Sequence, residues 1–108
     1  MQKIIVKKEV LLFLDELITT LVESEYFGFA ESAKDYVNKL YDAIYNDLPG
    51  LMHHVTPDKL KQYGSYYAKI KSNKRTTWYV FFDKRSNRYF VEFIANNHTP
   101  HSAFLNRL

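Results

Sequence analysis

Two spacing regimes divide the chain. In the first half, apolar residues recur at helical intervals: Leu11, Leu14, Ile18, Leu21 and Val22 form one stripe, with Asp15, Glu16 and Glu23 beside or opposite it. Tyr26-Phe27-Gly28-Phe29 interrupts that run, Gly28 being suited to the left-handed conformation that ends a helix. A second stripe follows through Phe29, Ala33, Tyr36, Val37, Leu40, Tyr41, Ile44 and Leu48, until Pro49-Gly50 stops it. Two helices joined by so short a turn are expected to pack as an antiparallel hairpin. Thr56-Pro57 then has the form of an N-cap ahead of a short helical turn, which Gly64 can end.

Past Gly64 the period falls to two. Segments 66–71, 76–83 and 89–95 are short, rich in aromatic and β-branched residues, and separated by polar links, so they read as a three-stranded antiparallel meander. Residues 3–6 supply a further strand, which gives the order βααβββ. The expectation is one α+β domain over 1–108, a helical hairpin packed on a small antiparallel sheet.

Alternation then assigns faces. Tyr67, Lys69 and Lys71 share one side of the first meander strand, opposite Tyr66, Ala68 and Ile70. In the last strand Tyr89, Val91, Phe93 and Ala95 read as the core face, with Arg88, Phe90, Glu92, Ile94, Asn96 and, by extension, His98 on the other. The hairpin covers one side only, so the second is expected to be open: an aromatic floor rimmed by Lys, Arg and a His.

Charge sharpens this picture. The chain totals +3. Residues 9–58 hold ten acids against Lys34 and Lys39, a local −8, whereas residues 59–88 hold nine bases against Asp83, a local +8. Such a swing implies a dipolar molecule with a basic face suited to a polyanion. The aromatic share of 17% supplies rings that can close a core or stack on bases. With no Cys, disulfides, thiolate nucleophiles and thiolate metal sites are ruled out. No apolar run approaches the ~20 residues of a membrane span, and the opening stretch is recharged by Lys7-Lys8 too soon for a signal peptide. The expected compartment is the cytoplasm, without a membrane partner.

No metal site is expected, because His53 and His54 are sequence neighbours that diverge, and His98 with His101 gives two ligands only. No cofactor is implied.

The run YYAKIKSNKRTTWYVFF over 66–82, followed by Arg88-Tyr89-Phe90 and by Asn96-Asn97-His98, resembles the RelE/ParE superfamily of toxins from bacterial type II toxin–antitoxin systems. The likeness is strongest to a branch associated with Bacteroidetes, and ESEYFGFAESAKDYV over 23–37 extends it to the helices. The resemblance implies a curved antiparallel sheet backed by two helices, and a cognate antitoxin as partner. It also implies one of two activities: cleaving messenger RNA on the ribosome, or inhibiting DNA gyrase by binding. Lys69 and Lys71 match the family's basic strand residues, Arg75 approximates its arginine near the central strand, and His98 matches its terminal position. The match implies RNA cleavage without a metal: the 2′-OH attacks the adjacent phosphate as the bond to the 5′-oxygen breaks, with His98 as proton acceptor or donor and Lys69, Lys71 and Arg75 as cations at the transition state. Tyr67 or Trp78 would stack on a splayed base, with Lys74, Arg88 and Asn96 as further RNA contacts. The expected function is therefore a metal-independent endoribonuclease toxin that blocks translation. The alternatives are a non-catalytic gyrase inhibitor of ParE type, or a degenerate relative that only binds antitoxin. A homodimer is compatible with each.

Overall fold

The computed structural model describes residues 3–23, 30–72 and 76–97. In chain order these form β1 (Lys3–Val6), α1 (Lys8–Glu23), α2 (Ala30–Asp42), β2 (His54–Val55), β3 (Tyr66–Lys71), β4 (Thr77–Arg85) and β5 (Arg88–Asn96). A π-helical turn, Ala43–Asp47, and a 3₁₀ turn, Leu48–Gly50, extend α2, and a 3₁₀ helix, Asp58–Tyr63, joins β2 to β3. The architecture is α+β. The connection between α1 and α2, including Gly28, lies outside the described residues.

The sheet is mixed where an antiparallel one is expected. Its order is β1-β5-β4-β3-β2, with β1 parallel to β5 and every other pair antiparallel. The cause is β2, a two-residue strand that the sequence pattern does not announce. It runs opposite to β1, and the reversal between β2 and β3 turns the whole meander, so β5 ends parallel to β1. Had β3 followed the helices in the direction of β2, β5 would run against β1.

One residue also overturns the expected faces of β5. Phe81 pairs with Phe93 but Phe82 pairs with Val91, which leaves Glu92 as the extra residue of a bulge. A slip of one position sends every later side chain to the opposite face. Tyr89 and Val91 therefore face the helices as expected, whereas Phe93 and Ala95 turn away and Ile94 joins the helix-side core.

That core unites Val10, Leu14 and Leu17 of α1 and Val37 and Leu40 of α2 with Trp78, Val80, Phe82, Tyr89, Val91 and Ile94 of the sheet. The buried line of α1 is thus rotated from the expected stripe: Ile18 and Leu21 are partly buried margins, and Leu12 and Phe13 are exposed. On α2 the expected stripe holds, because Ala33, Val37, Leu40, Ile44 and Leu48 are all buried. The last step, from Ile44 to Leu48, spans the π-helical turn, whose wider winding keeps a four-residue spacing on one line.

Tyr41 Oη donates to Asp15 Oδ1 at 2.9 Å and so ties α2 to α1. Burial, reinforced by the Asp15 carboxylate, pushes the Tyr41 phenol up to about 12. An unfolded tyrosine ionises near 10. The folded chain therefore holds this proton more tightly, and the contribution to stability is complete below pH 10 and lost as pH rises toward 12. Stability toward urea is expected to fall across that window. Asp15→Asn should lower the Tyr41 midpoint in a phenolate-absorbance titration but leave it above that of an exposed tyrosine, since burial is the larger cause. A midpoint unmoved by Asp15→Asn would refute the link.

The expected N-cap at Thr56 is replaced by another arrangement. Pro57 occupies the cap position of the 3₁₀ helix with no side-chain bond, and Thr56 Oγ1 is buried without a hydrogen-bond partner. The Thr56 N–H instead donates to Ser65 O at 3.0 Å, which prolongs the β2–β3 pairing.

Candidate nucleic-acid interface

The second face of the sheet is less open than its sequence implies. Leu60, Tyr67, Tyr79, Phe81 and Ala95 form a buried cluster on it, with Tyr63 and Phe93 packed against them. The 3₁₀ helix supplies the cover at one end, where Tyr63 stacks on Phe93 with centroids 4.3 Å apart. Gly64 permits this close approach: its φ is 152°, and a Cβ there would stand 2.8 Å from the backbone nitrogen of Phe82.

Lys69 and Lys71 are exposed at the other end of this face. Lys69 lies opposite Tyr79, which lies opposite Ala95, and Lys71 lies opposite Thr77. One strand further, the Thr77 N–H donates to Asn97 Oδ1 at 3.1 Å and the Asn97 N–H to Thr77 O at 3.2 Å. Asn97, the last described residue of β5's continuation, is thus pinned in the row that begins with Lys71. His98, Lys74 and Arg75 lie outside the described residues.

The remaining candidates do not join that group. Trp78 is 1% exposed and faces the helices, where its Nε1–H donates to Tyr36 Oη at 2.9 Å. Tyr67 is on the lysine face but only 5% exposed, with the His54 ring stacked on it at 4.8 Å and 18°. Neither ring therefore presents a free face to a base, contrary to expectation. Burial pushes the phenols of Tyr67 and Tyr79 up, and Tyr79 adds to the effect on Tyr67. Asn96 pairs with Trp78 and so belongs to the helix side, because the Glu92 bulge reverses the parity of β5. Arg88 pairs with Arg85, six residues beyond Tyr79 on β4. At ~3.3 Å per residue that puts it about 20 Å from the Lys69 row.

The sequence pattern dismissed one residue that the fold brings to this face. His53 and His54 do diverge, as strand neighbours must. His53 packs edge-on against Phe82 and Tyr89, its Nε2 2.8 Å from Leu48 O, which makes it a structural ring on the helix side. His54 pairs with Tyr67 and, among the described residues, is the one imidazole on the lysine face. Lys69 stands diagonally from it, a relation that places Cβ atoms about 7–8 Å apart. Recognising 54–55 as a strand was the missing signal, and two residues are too few for periodicity to show one.

Lys71 also borders a cavity of about 490 Å³ between α2 and β3, whose lining includes Asp35, Tyr36, Lys39 and Asp47. Among the described residues no three His, Asp or Glu side chains converge as metal ligands, and no helix is long and apolar enough to cross a membrane. Comparison with protein-family models, with curated proteins and with solved structures yields no match to this chain.

Proposed function

We propose that this protein is a bacterial toxin of RelE/ParE type, held inactive by a cognate antitoxin, that cleaves messenger RNA on the ribosome in the cytoplasm. The observation that carries the reading is the co-facial pair Lys69 and Lys71, with Asn97 fixed to Thr77 in the same row. These cations face the RNA backbone and stabilise charge on the phosphorane as the 2′-oxygen bonds to phosphorus and the bond to the 5′-oxygen breaks. An imidazole takes the 2′-OH proton or returns one to the 5′-oxygen. His98 and His54 are the two candidates for that role, and Arg75 is a third cation.

The test is cleavage of messenger RNA by the purified protein with ribosomes and EDTA. Lys69→Ala and Lys71→Ala should each slow cleavage, and His98→Ala should cost about 10²-fold or more. Full activity in His98→Ala with loss in His54→Ala would transfer the proton-transfer role to His54. Intact RNA with blocked gyrase supercoiling would instead establish the binding toxin. That second reading is favoured by the closed aromatic floor, which leaves Tyr67 without a face for a base.

A further inference from the structure

The separation of Arg88 from Lys69 and Lys71 gives it different company. At the tip of the β4–β5 hairpin Arg88 pairs with Arg85 on one side and with Lys3 of β1 on the other. Three cations therefore occupy one cross-strand row. Ile4 and Val6 face the helices, which puts Lys3 on the same side as Arg88. All three residues are exposed, and among the described residues no carboxylate forms an ion pair with any of them. Asp83, two residues before Arg85 on the same strand face, has its Oδ1 engaged by the Ser65 N–H at 3.0 Å.

Like charges placed directly opposite destabilise a sheet, so this row is costly unless an anion shares it. The tip is also shaped. Ser86 takes a positive φ of 55° at the first central position of a two-residue turn, which holds Arg85 and Arg88 side by side. The Arg85 guanidinium lies over the Phe90 ring, 4.4 Å from its centroid. A guanidinium anchored on a ring keeps N–H groups for bidentate contact with a phosphate. Arg85, Ser86, Arg88 and Phe90 line a recess of about 420 Å³.

We infer that the row Lys3, Arg88 and Arg85 is a second phosphate-binding site, which holds single-stranded RNA about 20 Å from Lys69. A polyanion is favoured over a single small anion because three adjacent fixed charges call for more than one phosphate. The inference rests on the RNA-directed reading above and extends it: the lysine row acts at the cut, and the hairpin tip anchors the strand at a distance.

The experiment is fluorescence anisotropy of a short labelled oligouridylate with the full chain, across a salt series and without ribosomes. Arg85→Gln/Arg88→Gln should weaken binding about tenfold and lower the slope of log K against log salt by about 1.4, roughly 0.7 per lost phosphate contact on a single strand. Arg88→Glu converts the row to alternating charge, so it should weaken RNA binding while melting no lower than the natural chain. Unchanged affinity and slope in the double variant, with Lys69→Ala/Lys71→Ala impaired, would overturn the tip site and leave the RNA reading intact. If the natural chain fails to bind the oligouridylate, the tip site falls, and the cleavage assay with ribosomes decides the RNA-directed reading separately. Polyglutamate binding as tightly, with the same dependence on Arg85 and Arg88, would overturn the choice of RNA in favour of an acidic protein segment. Inorganic phosphate displacing the oligouridylate at equal phosphate concentration would reduce the row to a small-anion site and overturn the strand anchor.

Discussion

Trp78→Ala is expected to cost about 3–5 kcal/mol of folding stability, out of a total of about 5–15 kcal/mol for a domain of this size. The indole is almost fully buried between sheet and helices, and the edge-to-face contact with Phe13 has its centroids 6.1 Å apart. Its removal leaves a cavity that neither rigid layer can close. It also breaks a chain of hydrogen bonds. The indole N–H donates to Tyr36 Oη, which shares a 2.8 Å hydrogen bond with the Ser72 hydroxyl. This relay fastens α2 to the start of β4, so the alanine variant loses packing and attachment together. Trp78→Phe separates the two by keeping most of the volume, and it should cost less, about 1–3 kcal/mol, for the smaller ring and the lost indole N–H bond to Tyr36 Oη. Trp78 is the chain's single tryptophan, so unfolding in urea is followed by circular dichroism rather than by fluorescence. A midpoint for Trp78→Ala that matches the natural chain would refute the account of the core.

Gly64→Ala should be the next most damaging change. At φ 152° an L side chain is strained, and the added Cβ would meet backbone atoms, Phe82 N at 2.8 Å and Phe81 C at 3.1 Å, rather than a side chain that can move aside. A cost of about 2–3 kcal/mol lowers the melting temperature by roughly 10–20 °C. Gly50 is the internal control, because nothing lies within 4 Å of a Cβ there. Gly50→Ala should therefore melt close to the natural protein, and equal losses at the two glycines would remove the steric explanation. The site feels this change as well. Moving Gly64 lifts Leu60 and Tyr63 from Phe81 and Phe93, which exposes the aromatic floor beside the lysines.

Both residues sit where legibility from sequence ends. The Trp78 segment reads as a central strand, apolar on both sides, but parity alone leaves open which face the helices cover. The burial of its ring on the α2 side depends on Tyr36, 42 residues away in the chain. Gly64 reads as the end of a helical turn, which it is, yet its need for φ above zero comes from the backbone of β4 lying against it.

What the chain determines by itself is local periodicity. The helical stripe of α2, the three meander strands and the shared face of Tyr67, Lys69 and Lys71 follow from the spacing of neighbouring side chains, because 3.6-residue and two-residue repeats are properties of a single element. Pairing is settled elsewhere. The reversal through His54–Val55, the one-residue slip at Glu92, the 3₁₀ cover over the second face and the distance of Arg88 from Lys69 each arise between segments remote in sequence. A bulge costs nothing that a periodicity count detects, yet it moves Asn96 to the helix side and Phe93 away from it. Only the assembled sheet, with every strand in register and both faces packed, decides which cations stand together.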